Sequence, residues 1–82
     1  MGLIDVRARA RILVRVERLA AGNPGDVRSV SEGVSELRID YGPGYRVYYK
    51  KHGREVVILL AGGYKRTQAS DIKTALRLAR NL

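Results

Sequence analysis

The spacing of hydrophobic positions changes several times along the chain, and each change marks an element. Ile12, Val16 and Leu19 recur at the i, i+4, i+7 interval of one helical face, while Arg7, Arg11, Arg15 and Arg18 fall elsewhere. Asp5 stands where an N-cap belongs and Gly22 where helices commonly stop, so a helix is predicted from Asp5 to about Ala21. Asn23-Pro24-Gly25-Asp26 follows as a turn, because proline fixes φ and glycine tolerates positive values; the residues up to Gly33 read as an irregular connection. Val34 to Tyr41 and Tyr45 to Lys51 then alternate with period two. Glu55 to Ala61 is a continuous apolar run, the pattern of a strand central in its sheet. Gly42-Pro43-Gly44 and His52-Gly53 have the composition of tight hairpin loops, and Gly62-Gly63 ends the third strand. Thr67 is placed to cap a last helix to about Asn81, with Ile72, Ala75, Leu76 and Ala79 along one stripe and Asp71 near its positive end.

The expected architecture is α+β: a small antiparallel three-stranded meander with flanking N- and C-terminal helices, in one domain over residues 1–82. Phe and Trp are absent, so the core must come from Val, Leu, Ile and the five tyrosines. The absence of cysteine excludes disulfides, thiolate metal sites and a catalytic thiol, and makes a reducing cytoplasm the expected compartment. The first residues lack the apolar stretch of a signal peptide and no segment reaches membrane-spanning length, so no membrane association is expected.

Charge changes this picture most. Sixteen Lys and Arg against eight Asp and Glu give a net charge of +8, and so large a positive excess on a small domain draws in polyanions. The arginine row of the first helix can grip phosphates, but arginines beside an apolar stripe are more often the solvent face, and that is the reading taken here.

If Gly42 to Gly44 is the whole loop, Tyr41 faces Tyr45, Ile39 faces Val47 and Leu37 faces Tyr49 on the core side of the sheet. The opposite, outward side then pairs Asp40 with Arg46, Arg38 with Tyr48 and Glu36 with Lys50, and Lys65 and Arg66 overhang it. Singly, such pairs are ordinary sheet stabilisers. Together they gather five cations and several tyrosines, a set suited to RNA, since guanidiniums hold phosphate bidentately and tyrosine rings stack on unpaired bases. Cleavage would need a base for the 2′-hydroxyl and a cation for the phosphorane; crowding by like charge favours an unprotonated lysine, which nominates Lys65 or Lys50 as base, with Arg46 holding the charge. His52, the single histidine, sits at a hairpin tip and reads as a turn residue, which leaves no metal site; no cofactor is expected. Asp40 and Asp71 lack the spacing of a metal or glycosidase pair, and no glycine motif has the context of a phosphate loop.

The stretch Glu36-Leu37-Arg38-Ile39-Asp40-Tyr41-Gly42-Pro43-Gly44-Tyr45-Arg46-Val47-Tyr48-Tyr49, followed by Val57-Ile58-Leu59-Leu60-Ala61-Gly62-Gly63, resembles the RelE/ParE toxin superfamily in its HigB-like branch, that of the phage-derived Gp49-like addiction module killer proteins. The likeness extends to Gly22-Asn23-Pro24-Gly25-Asp26 and through Thr67-Gln68 and Asp71-Ile72. The resemblance implies a compact domain with helices packed on a twisted sheet, cutting messenger RNA on the ribosome and restrained by a cognate helix-turn-helix antitoxin. It implies catalytic roles for Arg46, Lys65 and Arg38, with Tyr45 beside Arg46 in the matching Tyr-Arg pair; Tyr45 and, from the patch that the register assembles, Tyr48, Lys50 and Arg66 are the expected RNA-binding residues. Relatives of this kind begin with an additional strand and helix that this chain is read as lacking, so a bare sheet edge is expected: either the natural start is shortened, or the core is completed by a partner, a homodimer or a domain swap, or the copy is degenerate. Tyr64 stands where an acidic residue is expected, and the C-terminal tyrosine that some relatives use as an acid is missing.

The expected function is therefore that of a type II toxin, a metal-independent endoribonuclease acting by 2′-hydroxyl attack. The alternative is a catalytically inactive RNA- or antitoxin-binding module derived from such a toxin.

Overall fold

The computed structural model describes residues 6–54 and 56–82. Helix α1 (Val6–Ala20) leads into four strands, β1 (Val27–Ser31), β2 (Val34–Ile39), β3 (Tyr45–His52) and β4 (Val56–Tyr64), and a short 3₁₀ turn (Lys65–Thr67) opens into helix α2 (Gln68–Arg80). The strands form one antiparallel sheet in the order β1-β2-β3-β4. The α+β class holds, with one strand more than the periodicity gave. The expected Asp5 cap and the start of the third predicted strand at Glu55 lie outside the described residues.

Strand β1 occupies what reads as an irregular connection in the sequence. A bulge between Ser29 and Ser31 leaves Val30 as the extra residue, which breaks the alternation that would betray a strand. The β1–β2 turn is Glu32-Gly33, both at positive φ (51° and 83°), the conformation that tight hairpins need. Glu32 takes that conformation without being the usual Asn or Gly, and Arg80 of α2 holds its carboxylate.

The β2–β3 loop is longer than Gly42 to Gly44. Tyr41 N–H bonds back to the Ile39 carbonyl at 2.9 Å and Gly44 N–H to Tyr41 at 3.1 Å, so the ladder ends at Ile39 and residues 40–44 turn outside it. The pairs are thus Ile39 with Tyr45, Arg38 with Arg46, Leu37 with Val47 and Glu36 with Tyr48, two residues away from the expected register. Because the side-chain period is two, the shift changes every partner and leaves every residue on its expected face.

Both faces of the sheet are covered. On one, α1 packs Ala8 and Leu19 onto Leu37, Ile39, Tyr45, Val47 and Tyr49, with Ile12 and Val16 beside them. On the other, α2 packs Ala75 and Ala79 onto Val34 and Tyr48, with Ile72, Leu76, Val30 and Leu60 around them. The side expected to face outward is in large part a second core. Strand β4 is an edge of the sheet, contrary to the central position its apolar run suggests. Its pairing with β3 shifts between Tyr48 and Tyr49, the extra residue Leu60 turns toward α2, and Leu59 is left 52 % exposed. Nor does Gly62-Gly63 end the strand, which continues to Tyr64. A side chain at Gly63 would meet Asp71 of α2, whose Oδ2 lies 1.9 Å from the position a Cβ would take, so only glycine lets α2 lie so close.

Helix α1 ends as expected. Gly22 takes φ +87°, its N–H reaches the Leu19 carbonyl at 3.0 Å and that of Asn23 reaches Arg18 at 2.8 Å, the paired bonds of a Schellman stop. Arg15 departs from its reading as solvent face. Its guanidinium donates to the carbonyls of Arg38 (2.8 Å), Pro24 (3.2 Å) and Asp26 (3.4 Å), tying the helix to the following turn and to the end of β2. Thr67 sits at the N-cap of α2, but its hydroxyl donates to Asp71 and bridges the Tyr64 backbone instead of capping the helix.

Candidate functional site

The ends of β2 and β3 nearest their loop, together with the exit from β4, surround a cleft of about 470 Å³ lined by Asp26, Arg38, Asp40, Gly42, Pro43, Gly44, Arg46 and Lys65. The sheet supplies two of its cations directly, since Arg38 and Arg46 are cross-strand partners on one face. Lys65 is brought in from the other side. Its backbone N–H donates to the Gly44 carbonyl at 2.8 Å, and Gly44 holds φ +80°. A Cβ on Gly44 would stand 3.3 Å from Lys65 Cβ and 3.4 Å from an Arg46 Nη, so that glycine is where the two cationic residues close on each other.

Like charges directly opposite on a sheet repel, and two carboxylates relieve the pair in different ways. Asp26 lies at the surface and takes Arg38 through a single oxygen, 2.7 Å from one Nη and 3.2 Å from Nε. This hydrogen bond, with the Asp26 charge behind it, raises the Arg38 guanidinium further above its ordinary pKa. Glu36 works from beneath. It is fully buried, its Oε1 faces Arg46 Nε at 4.0 Å and an Arg28 Nη at 3.4 Å, and its Oε2 accepts from the Tyr48 hydroxyl (3.0 Å) and from Gln68 Nε2 (2.6 Å). Arg46 is itself only 12 % exposed and donates to the Tyr45 carbonyl at 3.1 Å. Its guanidinium is therefore preset, and that of Arg38 is held by an exchangeable surface partner. Burial first, and the Glu36 bond second, hold the Tyr48 phenol well above the usual tyrosine pKa.

Of the residues nominated from the sequence, Arg38, Arg46 and Lys65 meet at this cleft and the other four do not line it. Tyr48 is fully buried beneath α2 and Tyr45 is buried on the α1 face, its ring 5.4 Å from that of Tyr64, so neither offers a free face to a base. Lys50 lies toward the far end of β3, opposite Val34 and in a separate hollow with His52 and Val56, which removes it as a base beside Arg46. Arg66 is exposed in the 3₁₀ turn. The expected set of five cations reduces to three, facing the carboxylates of Asp26 and Asp40.

Read from the sequence, Glu36, Gln68 and Asp26 have no role in the site. The register error hid Glu36 by pairing it with Lys50, and Gln68 and Asp26 reach the site from 32 and 12 residues away in the chain, a distance no local pattern spans.

What the cleft can do follows from its donors. It offers a fixed guanidinium, an exchangeable one and a primary amine around a space open to solvent, a geometry that can grip a phosphodiester. No described helix is long and apolar enough to cross a membrane.

Comparison with known proteins adds a family. The profile of the family described as Phage derived protein Gp49-like matches residues 3–82. A protein of Haemophilus influenzae, named only as uncharacterized, is 54 % identical over 80 residues, which cover 98 % of this chain and 81 % of that protein. No solved structure matches the chain.

Proposed function

Because the chain belongs to the phage-derived Gp49-like family, we propose that it is the toxin of a type II toxin–antitoxin pair, a HigB-like endoribonuclease that cuts messenger RNA on the ribosome. The observation that carries this reading is the meeting of Arg38, Arg46 and Lys65 around one open cleft. In the reaction the 2′-oxygen attacks the adjacent phosphorus while the bond from phosphorus to the 5′-oxygen breaks. Lys65 takes the 2′-hydroxyl proton as its free amine, and the departing oxygen recovers a proton from the ammonium so formed or from water. Arg46, fixed from below by Glu36, stabilises the charge that builds on the phosphorane, and Arg38 leaves Asp26 to hold a phosphate oxygen. A helix-turn-helix antitoxin with acidic groups over this cleft would silence it.

The engagement of Arg38 by Asp26 favours a second reading, a noncatalytic module that binds RNA or antitoxin through the same cations. Purified protein incubated with ribosomes and messenger RNA separates the two. Discrete cleavage ends that fall about 10²–10³-fold in rate in Arg46→Ala support the enzyme. Salt-sensitive binding without cleavage supports the module, and unchanged cleavage in both Arg46→Ala and Lys65→Ala would refute the assignment of the site.

A further inference from the structure

The cleft leaves the arginine row of α1 unused, and the row is joined to it. A hollow of about 300 Å³ bounded by Arg11, Arg18 and Tyr41 shares Asp40 with the cleft. A third, of about 340 Å³, lies against Arg7 and shares Arg11 and Val14 with the second. The three hollows adjoin through these shared residues and follow one another from Lys65 to Arg7 on α1.

Two contacts fix this row relative to the cleft. Arg11 lies with its guanidinium carbon 4.5 Å from the centre of the Tyr41 ring, so its charge is held over the groove. Arg15 spends its donors on the carbonyls of Pro24, Asp26 and Arg38, which locks α1 to residues at the cleft. Among the described residues, Arg7, Arg11 and Arg18 make no ion pair. The acid within α1 is Glu17 alone.

Resting on the RNA reading above, we propose that the α1 row is a second, non-reacting part of the same site. Arg7, Arg11 and Arg18 bind the phosphates that flank the one held in the cleft, so that a single unpaired RNA strand lies along the helix and across Asp40. Eleven residues at 1.5 Å rise separate Arg7 from Arg18, a track of about 16 Å. The occupant follows from charge and adjacency: the row of hollows begins at the cleft of Arg38, Arg46 and Lys65 and passes Arg11, Arg18 and Arg7, which make no ion pair among the described residues, a series that fits the repeating charge of one polynucleotide. The row adds affinity and reach without taking part in bond breaking.

The test compares two probes on the full chain: a dinucleotide blocked by a 2′-deoxy link, which fills only the cleft, and a single-stranded oligonucleotide blocked in the same way, which spans the track. In Arg11→Gln/Arg18→Gln the oligonucleotide should bind more weakly, and the slope of log affinity against log salt should shrink by about 1.4, two contacts at about 0.7 each. Dinucleotide binding should not change, whereas Arg46→Ala should weaken both probes. Arg7→Gln/Arg18→Gln spares the Tyr41 stack and should reproduce the loss of slope. An unchanged slope in both double variants would overturn the track, as would equal losses on the two probes. If the unmodified protein binds neither probe at low salt, the RNA reading itself fails and takes the track with it.

Discussion

The two faces of the sheet are built on opposite terms. The α1 face is closed by hydrophobic burial, with Leu37, Ile39, Val47 and the rings of Tyr45 and Tyr49 under one helix. The α2 face has fewer apolar residues at its centre and buries an acid among them, Glu36, bonded to Tyr48 and Gln68 and facing Arg46. Removing a carboxylate from water is unfavourable unless its oxygens are paired, so the acid is retained at a cost in stability. The contrast teaches how the two sides divide their work: one holds the chain folded, and the other gives up part of its stability to hold the Arg46 guanidinium in place.

That contrast can be broken or sharpened by substitution. The largest expected effect is that of Glu36→Ala, which leaves Arg46 mostly buried without its counter-charge and should cost about 3–5 kcal/mol in denaturant unfolding. It should also lower cleavage per folded molecule. Leu37→Ala, its neighbour on the opposite face, should cost about 2–5 kcal/mol of stability through the cavity it leaves. Its cleavage per folded molecule should stay near that of the unaltered protein; a matching loss of activity would dissolve the distinction between the faces.

A smaller effect is expected at Tyr48. Its phenol titrates higher in the folded chain than in the unfolded one, where tyrosine ionises near pH 10. The stability this provides is whole below about pH 10 and declines as pH rises beyond it, because the unfolded chain then releases a proton that the folded one retains. Unfolding followed between about pH 9 and pH 11 should therefore show a decline that Tyr48→Phe reduces, at the expense of about 1 kcal/mol near neutral pH for the lost hydrogen bond. The smallest effect belongs to Asp26→Asn. Freed of a surface carboxylate, Arg38 should bind the blocked dinucleotide a few-fold more tightly with little change in stability, and weaker binding would show that Asp26 aims Arg38 instead of competing for it.

Much of this molecule could be read from the chain. Helix α1 is legible in Ile12, Val16 and Leu19 and in the Gly22 stop, and α2 in Ile72, Ala75, Leu76 and Ala79. Strands β2 and β3 are legible in their alternation, and Arg38, Arg46 and Lys65 were nominated together from facing and from family likeness. What escaped has a common cause in bulges and buried polarity. The extra residues Val30 and Leu60 disrupt period two, which hid β1 and made β4 look central. Tyr48 reads as a surface aromatic because alternation sets it on the side of Arg38 and Arg46, and only α2, from far along the chain, covers it.

The loop over residues 40–44 has a consequence for length variation. A change in loop length that reset the ladder by two residues would exchange its partners yet keep Arg46 on the cleft side and Val47 beneath α1. A reset of the ladder by one residue would invert the whole of β3, sending Arg46 into the apolar layer and Val47 to the cleft. Homologues whose β2–β3 register differs are thus expected to differ by even steps, unless a compensating bulge restores the odd one.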